Sequence, residues 1–346
     1  LGDENGPLIL FIHGWPDTSY GWRHQLQYFA NAGFHAVAPD QRGYGGSESP
    51  EDWREYNVFS VASDNLAVAS YLGYDSFYLV GHDWGAWLTW IMALLYGPTV
   101  IPAFACLSVP WPASRRGIGM LKSLKMKFGD ATAGTRASRL QSKFHYMLHH
   151  QLEGCAEEYK KNNREALYRI YAIHPDVELD LPEVIDPRMF PEIDESSSIS
   201  LNAAAAPGLW SRIPRPHSLP KWLPNDEFEV YVKDFKQSGW NGLNWYKSKD
   251  LDYMLLQHLE KKKIEQPTIF LAGSKDLVIQ TLGGEEKVQN NLKQFCSSSL
   301  DCVFYPGAGH WIQQEKAEEV NKELLLFFRA QIIIKVLPQG LKQSRL

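Results

Sequence analysis

The fold is decided by the stretch Leu79-Val80-Gly81-His82-Asp83-Trp84-Gly85-Ala86. An apolar run of strand length, residues 77–80, leads into it, and residues 86–96, which are apolar almost all round, follow it. These runs predict a buried strand and a buried helix joined by one tight turn. The two glycines flank the apex because side chains would collide where strand, turn and helix pack closely. This pattern is typical of a nucleophile elbow, which presents its apex residue above the end of a sheet.

The residue at the apex, Asp83, decides the chemistry that we expect. Serine is the familiar residue at this position, whereas a carboxylate is already a nucleophile at neutral pH and needs no base to activate it. The alternative is that Asp83 merely caps the helix that follows, which is a common structural role for aspartate. The motif alone leaves both interpretations open.

Composition and charge exclude several classes of protein. The chain has 346 residues, 44% of them hydrophobic, with 12 Trp, 16 Tyr and 16 Phe, which is enough for a large core and an apolar pocket. The net charge is -5 and no basic stripe is present, so we expect no nucleic-acid partner. No apolar stretch is long enough to span a membrane. The four cysteines lack a CxxC spacing, and we interpret them as buried thiols in a reducing compartment.

Strand and helix patterns alternate along most of the chain, which predicts a mostly parallel α/β sheet flanked by helices. The predicted strands are residues 8–12, 34–38, 77–80, 104–109, 268–272 and 300–305. The predicted helices between them are residues 20–32, 58–72, 86–96, 282–295 and 315–328.

The alternation stops at Pro112 and resumes after about Leu255. Between them we predict helices at 143–152, 155–172, 226–237 and 245–259, with a proline-rich wrapped loop over residues 175–224. The sequence therefore predicts an α/β core formed by residues 1–111 and 256–336, an inserted helical cap at 112–255, and a tail at 337–346.

A carboxylate nucleophile that forms an ester also needs a base, a group that orients the base, and donors for an oxyanion. In this topology the expected chain order is nucleophile, acid, histidine. His310, in a glycine-rich loop after the last strand, is the predicted base. Asp276, directly after the strand at 268–272, is the predicted orienting acid, while Asp301 is the weaker alternative because it begins a strand. The predicted oxyanion donors are the backbone N–H groups of Trp84 and Trp15.

Several motifs together resemble the soluble epoxide hydrolases, the Asp-nucleophile branch of the α/β-hydrolase fold. Three lie in the core: His13-Gly14-Trp15-Pro16, Gly81-His82-Asp83-Trp84-Gly85 and Gly307-Ala308-Gly309-His310-Trp311. Two lie in the predicted cap: Phe144-His145-Tyr146 with the segment 151–157, and Gly242-Leu243-Asn244-Trp245-Tyr246. The resemblance extends over about residues 8–328.

The resemblance implies roles that the residues alone do not. Tyr146 and Tyr246 would donate hydrogen bonds to the epoxide oxygen, and the bond between Trp15 and Pro16 would be cis. Three departures accompany it. First, the family has a β-hairpin ahead of Leu8, so either the sequence is truncated or the sheet lacks its first edge strands. Second, residues 176–218 match no part of the family pattern. Third, Asn241-Gly242 stands where the family usually has Gly-Pro.

The function that this reading predicts is hydrolysis of a small apolar epoxide to a vicinal diol through an ester at Asp83, without cofactor or metal. One alternative is a haloalkane or haloacid dehalogenase with the same nucleophile, in which the Trp84 indole would help to hold halide. Another is an inactive, ligand-binding member of the fold. His145, His149 and His150 lack a trustworthy metal-ligand spacing, and a helix face is the simpler interpretation. The oligomeric state is left open.

The last three residues, Ser344, Arg345 and Leu346, resemble the Ser-Lys-Leu peroxisomal address. Pro338 and Gly340 would end any preceding helix and leave this tail accessible to an import receptor. We therefore expect a peroxisomal location, with the cytoplasm as the alternative.

Overall fold

The computed structural model describes residues 1–111, 119–129, 145–180 and 213–336. In this part of the chain, six strands form one sheet in the order β2-β1-β3-β4-β5-β6, and every neighbouring pair is parallel. The prediction of a mostly parallel sheet is confirmed. The strands are β1 Leu8–Ile12, β2 His35–Val37, β3 Tyr78–His82, β4 Phe104–Leu107, β5 Thr268–Gly273 and β6 Leu300–Tyr305.

Both faces of the sheet are buried, which explains why its strands have continuous apolar sequences. In β1, Leu8, Leu10 and Ile12 belong to one buried cluster, while Ile9 and Phe11 belong to the other. The sheet is therefore the middle of three layers. The helices that cover it are α1 Arg23–Asn31, α2 Val58–Tyr71, α3 Trp84–Val100, α11 Leu277–Thr281, α12 Glu285–Phe295, α13 Ile312–Glu315 and α14 Ala317–Val336.

One helix of the core begins later than the sequence pattern predicts. Residues 282–295 were expected to be helical, but Leu282 follows the short helix α11 and α12 begins only at Glu285. Gly283 and Gly284 separate the two helices with φ values of 96° and 87°. Such positive φ values end a helix and are favourable only for glycine.

A long insertion separates β4 from β5, and in its described part helices predominate. These are α4 Met120–Phe128, α5 Tyr146–His149, α6 Cys155–Lys161, α7 Asn163–Tyr171, α8 Asn225–Ser238, α9 Asn244–Lys247 and α10 Lys249–Leu255. A two-stranded antiparallel pair joins Leu179–Asp180 to Arg215–Pro216. Tyr146, Tyr246 and Trp240 of the insertion pack into the same apolar cluster as one face of the sheet. The division into cap and core at residues 112 and 255 stays a prediction.

Three predicted helices of the insertion are shorter than expected. The segment predicted at 155–172 is divided at Asn162 between α6 and α7. The segment predicted at 143–152 forms a single turn, α5, with residues 143 and 144 outside the described ranges. The segment predicted at 245–259 is divided at Ser248 between α9 and α10. The Ser248 hydroxyl oxygen lies 3.0 Å from the Trp245 carbonyl and 3.2 Å from Asp252 Oδ2 at this junction.

At the β2 edge, the first residues of the chain extend the pairing of the sheet. The Leu1 amino group donates to the Ala36 carbonyl at 2.9 Å, and Gly2 forms an antiparallel bridge with His35. Among the described residues, no helix is long and apolar enough to cross a membrane. The tail with Ser344, Arg345 and Leu346, and most of the segment 176–218, lie outside the described residues, so the peroxisomal address stays a prediction.

The topology brings the predicted site residues to one edge of the sheet. Trp15 follows β1, Asp83 follows β3, Asp276 follows β5 and His310 follows β6. Because parallel strands end at the same edge, residues far apart in sequence meet there, as in other open α/β sheets that bind ligands.

Candidate active site

Asp83 occupies the apex of a tight turn between β3 and α3. Its backbone has φ 53° and ψ -121°, a strained conformation for a residue with a side chain. A Cβ built on Gly81 would collide with the Gly85 carbonyl, and one built on Gly85 would collide with the Ile12 carbonyl. The nucleophile-elbow geometry predicted from the sequence is therefore present, and it depends on both glycines.

The Asp83 carboxylate does not cap its own helix, because its side chain makes no cap hydrogen bond to α3. Its Oδ1 instead accepts the Trp15 N–H at 2.8 Å, and the Trp15–Pro16 peptide is cis, as the family resemblance implied. A Cβ on Gly14 would collide with the Asp83 carboxylate and with the Trp84 backbone nitrogen. Both predicted oxyanion donors thus belong to the immediate surroundings of Asp83.

His310 lies between the two predicted carboxylates. Its Nδ1 is 2.9 Å from Oδ2 of Asp276, and its Nε2 is 3.6 Å from Oδ2 of Asp83. The other Asp276 oxygen, Oδ1, accepts the Val278 N–H at 2.8 Å, so the carboxylate is fixed at the N-terminus of α11. Asp301, the weaker alternative, is exposed on β6, consistent with the choice of Asp276.

The two loops that carry the acid and the base are hydrogen-bonded to each other. The Gly307 N–H donates to the Ser274 hydroxyl at 2.8 Å, and the Lys275 N–H donates to the Ala308 carbonyl at 2.9 Å. These bonds hold the loops after β5 and β6 in register, which keeps Asp276 and His310 within hydrogen-bond distance of each other.

The electrostatics favour opposite charges on Asp83 and His310 at neutral pH. Burial would raise the pKa of Asp83, but the His310 imidazolium and the Trp15 N–H outweigh it and hold that pKa below its usual range. For His310, burial lowers the pKa, yet the carboxylates of Asp276 and Asp83 raise it to about 10. The unreacted site therefore contains a carboxylate next to an imidazolium.

Sequence reasoning missed the side chains that hold the His310 backbone. The Ser108 hydroxyl donates to the His310 carbonyl at 2.7 Å, and Nε2 of His82 is 2.8 Å from the same oxygen. Burial is the main cause that lowers the pKa of His82 to about 3, so its neutral ring donates through Nε2. Glu315 accepts the N–H groups of Gly309 and Trp311. The only available signals were the position of His82 inside the elbow motif and the location of Ser108 directly after a strand.

Tyr146 and Tyr246 lie in the same cavity as Asp83 and His310. Their ring centroids are 5.9 Å apart, and the Tyr246 ring meets Trp84 edge to face at 5.1 Å. Gln151 donates to the backbone carbonyls of Met147 and Tyr246, at 3.1 Å in both cases, and so joins the two tyrosine segments. Burial, followed by the neighbouring Tyr146 and the charge of Asp83, raises the pKa of Tyr246 well above its usual value, so its phenol is protonated at neutral pH.

His150 lies against the same tyrosines, although the sequence pattern predicts only a position on a helix face for it. Its ring centroid is 4.5 Å from that of Tyr246 and 5.3 Å from that of Tyr146, and its Nε2 is 2.8 Å from the Tyr159 hydroxyl. Burial lowers the pKa of His150 well below its usual value, so the ring is neutral. The interpretation of residues 145–150 as helix-face packing is only partly adequate, because His150 contacts the side chains that line the cavity.

The described residues enclose a cavity of about 300 Å³ above the elbow. Its wall is largely apolar, and its polar part combines the predicted catalytic groups with Tyr159, His174 and Lys275. The apolar lining includes Trp15, Ile170, Ile173, Leu179, Ile213, Leu277, Val278 and Trp311. Such a cavity suits a small apolar ligand with one polar centre. Within the ranges that the structure describes, no group of His, Cys, Asp and Glu has the arrangement of a metal site.

Comparison with known proteins places the chain in a family. The sequence pattern of the α/β hydrolase fold matches residues 7–317, so the chain belongs to the α/β-hydrolase-fold family.

Its relatives within that family are epoxide hydrolases, as the motifs indicated. Epoxide hydrolase A of Mycobacterium tuberculosis is 31% identical over 328 residues, which are 94% of this chain and 91% of that protein. Epoxide hydrolase 3 of Siraitia grosvenorii is 30% identical over 326 residues, 92% of this chain and 90% of that protein. The crystal structure of epoxide hydrolase A from Mycobacterium thermoresistibile superposes with a TM-score of 0.79 at 32% identity, covering 95% of this chain and 93% of that one.

Proposed function

We propose that the protein hydrolyses an epoxide to a vicinal diol through a covalent ester at Asp83. The observation that carries this proposal is one cavity in which the Asp83 carboxylate, two tyrosines and the His310–Asp276 pair come together. The similarity to named epoxide hydrolases over more than nine tenths of the chain supports the same substrate class. The apolar cavity wall favours a small apolar epoxide.

In the first half-reaction, an Asp83 oxygen attacks a ring carbon of the epoxide, and the bond between that carbon and the ring oxygen breaks. The ring oxygen takes a proton from Tyr146 or Tyr246, which leaves a hydroxyl group on the neighbouring carbon and a tyrosinate on the enzyme. The proton that the His310 imidazolium loses once Asp83 is esterified restores the phenol, so His310 is neutral before the second half-reaction. A phenol can supply this proton because opening the ring develops negative charge on the oxygen. The product is an ester of Asp83.

In the second half-reaction, His310 takes a proton from water, and the resulting hydroxide adds to the ester carbonyl carbon. The backbone N–H groups of Trp15 and Trp84 stabilise the tetrahedral oxyanion. When it collapses, the diol oxygen leaves and takes the proton from His310. Asp83 is left as a carboxylic acid with the second water proton, and transfer of that proton to His310 restores the carboxylate and the imidazolium of the unreacted site. The net reaction is epoxide plus water to diol.

A single turnover in heavy-oxygen water tests this mechanism. An ester at Asp83 requires the first diol to carry an oxygen from the enzyme, since hydroxide attacks the carboxyl carbon and not the substrate carbon. Styrene oxide is a suitable small apolar probe. A diol labelled entirely from solvent in the first turnover refutes the ester. Asp83→Ala should abolish turnover and retain a cooperative thermal unfolding transition.

Dehalogenation is the second candidate, and one observation favours it. Trp84 directly follows the nucleophile and its Nε1 is buried, the position from which an indole N–H would help to hold a halide. Release of chloride from 1-chlorobutane, measured beside diol formation from styrene oxide, separates the two reactions. The double variant Tyr146→Phe/Tyr246→Phe distinguishes the two candidates. If it still releases chloride and the protein does not turn over the epoxide, the dehalogenase is favoured. An inactive, ligand-binding protein predicts neither product.

A further inference from the structure

The carboxylate of Glu315 binds the backbone on both sides of His310. Its Oε2 accepts the Gly309 N–H at 2.6 Å, and its Oε1 accepts the Trp311 N–H at 2.8 Å. Only 3% of the Glu315 side chain is exposed, so water competes little for these bonds. The residues that precede and follow His310 are therefore attached to a single carboxylate.

The loop needs such an attachment because its own sequence does little to fix it. Gly307 and Gly309 flank Ala308 directly before His310, and Gly307 has φ 76°, a conformation that favours glycine. The His310 carbonyl is bound separately by the Ser108 hydroxyl and by Nε2 of His82. Together with Glu315, these contacts fix the whole peptide unit that carries the imidazole.

Glu315 has a third donor, which comes from the insertion. His174 Nε2 is 3.0 Å from Glu315 Oε2, and 8% of the His174 side chain is exposed. The Asp176 N–H donates to His174 Nδ1 at 3.2 Å, so Nδ1 is an acceptor and Nε2 is the nitrogen that donates to Glu315. His174 also lines the cavity above Asp83. The insertion is thereby hydrogen-bonded to the carboxylate that holds the His310 loop.

We propose that Glu315 is a positioning residue for hydrolysis of the Asp83 ester, and that its bond with His174 joins the insertion to the His310 loop. This inference rests on the proposed function, because it presupposes an ester intermediate and a histidine base. Glu315 acts through the backbone, which determines where the imidazole meets the attacking water. Misplacing a catalytic group by about 1 Å can cost about 100-fold in rate.

The two half-reactions should respond differently. Formation of the ester needs Asp83 and the tyrosines, and these groups make no hydrogen bond with Glu315 in the described contacts. Hydrolysis of the ester needs His310 in place. Loss of the Glu315 contacts should therefore slow hydrolysis and leave ester formation nearly unchanged, whereas general damage to the fold would reduce both.

Glu315→Gln is the variant that tests this role with the smallest change in side-chain size. A carboxamide keeps one acceptor oxygen and replaces the other with an NH₂ donor, so at least one of the three N–H groups must face another donor. The matched control is Glu318→Gln, the same chemical change at an exposed residue three positions later. Rapid quench with intact-protein mass spectrometry on styrene oxide gives the rate of adduct formation and the rate of its loss.

We expect adduct loss to slow about 10- to 100-fold in E315Q, with adduct formation within about threefold of the wild-type rate. E318Q should match the wild-type protein in both. Equal slowing of both steps, or unchanged adduct loss in a folded E315Q, overturns the positioning role.

A second pair of variants tests the bond to the insertion and does not depend on E315Q being folded. His174→Leu removes the donor, while His174→Gln keeps an N–H group of similar reach. Adduct loss should be slower in H174L than in the wild-type protein, and H174Q should restore its rate at least partly. The E315Q/H174L double variant should lose adduct no more slowly than E315Q alone, because both changes break the same hydrogen bond. Equal rates in H174L and H174Q overturn the link.

The two proposals fail in different ways. His310→Gln, which removes the base itself, should accumulate adduct if the ester mechanism holds. Absence of adduct in H310Q contradicts the proposed function. Accumulation in H310Q together with wild-type behaviour of E315Q contradicts only the role of Glu315.

Discussion

Nε2 of His310 faces Oδ2 of Asp83 across 3.6 Å, so the proposed base lies next to the proposed nucleophile before any reaction occurs. With the pKa of His310 raised to about 10, the unreacted pair is imidazolium and carboxylate. Such a histidine cannot take a proton from water. Formation of the ester neutralises Asp83 and removes one of the two charges that keep His310 protonated, which lowers its pKa. The first half-reaction would thereby convert His310 into a base for the second.

Asp83→Asn imitates this loss of charge without substrate. We expect the pKa of His310 to be lower in D83N than in the wild-type protein, because only the Asp276 carboxylate then stabilises the imidazolium. Titration of the imidazole by NMR, with H310Q to assign the resonance, measures the difference. Equal pKa values in the two proteins would show that Asp83 does not control the protonation of His310.

The same pKa shift predicts how stability depends on pH. A histidine whose pKa is raised by folding, from about 6.5 to about 10, contributes stability that is fully present below pH 6.5 and is lost as the pH rises through 10. The free energy of unfolding should therefore exceed that of H310Q by an amount that shrinks between pH 7 and pH 10. Urea unfolding of both proteins across this range measures it. A gap that widens with pH contradicts the assignment.

His310→Gln should separate the two half-reactions. Glutamine cannot accept a proton from water, so the Asp83 ester should form and persist. Intact-protein mass spectrometry after mixing with styrene oxide should show an adduct of the substrate mass, while diol is not released because the ester is not hydrolysed. An H310Q protein that turns over at the wild-type rate would exclude His310 as the base.

Replacing Tyr146 or Tyr246 with Phe should affect the other step. Each change removes one proton donor for the epoxide oxygen while retaining the aromatic ring, so adduct formation should slow by about 100-fold, a typical value for general-acid assistance. Tyr71→Phe is the matched control, since that side chain is 92% exposed. If only one of the two changes slows adduct formation, that tyrosine alone is the acid.

The sequence was sufficient for the residues that belong to local motifs. The elbow around Asp83 and the loop with His310 each carry their own glycine signals, and the strand before Asp276 is a plain apolar run. The order nucleophile, acid, histidine that is expected for this topology assigned a role to each of these three residues. The cis Trp15–Pro16 peptide followed from a family resemblance and not from any local rule.

Contacts between distant segments could not be predicted in this way. Glu315 has no local signal, since a glutamate near the start of a helix is ordinary, and its role depends on its proximity to Gly309 and His174 in space. Ser108 and His82 likewise act on the His310 carbonyl only because β3, β4 and β6 end at the same edge of the sheet. Boundaries such as the start of α12 depended on the exact positions at which successive glycines adopt positive φ.

Lys249 and Asp252 form a buried ion pair next to the elbow. Lys249 Nζ is 2.9 Å from Asp252 Oδ2, and the two side chains are 2% and 1% exposed. The ammonium also lies 3.5 Å from the centroid of the Trp87 ring and 4.5 Å from that of Trp84. Asp252 further accepts the Val58 N–H at 2.7 Å, so the pair joins the insertion to the core.

Lys249→Met should destabilise the protein by about 3 kcal/mol, because it leaves the Asp252 carboxylate buried without its cation. The double variant K249M/D252N should lose less stability than K249M, since it removes the uncompensated charge as well. Lys160→Met is the control, because Lys160 pairs with Glu157 at 3.7 Å on the surface and both side chains are more than 60% exposed, at 65% and 74%. Its effect should stay below about 1 kcal/mol. Chemical unfolding followed by circular dichroism measures all three, and a K249M protein as stable as K160M would show that the buried pair contributes no net stability.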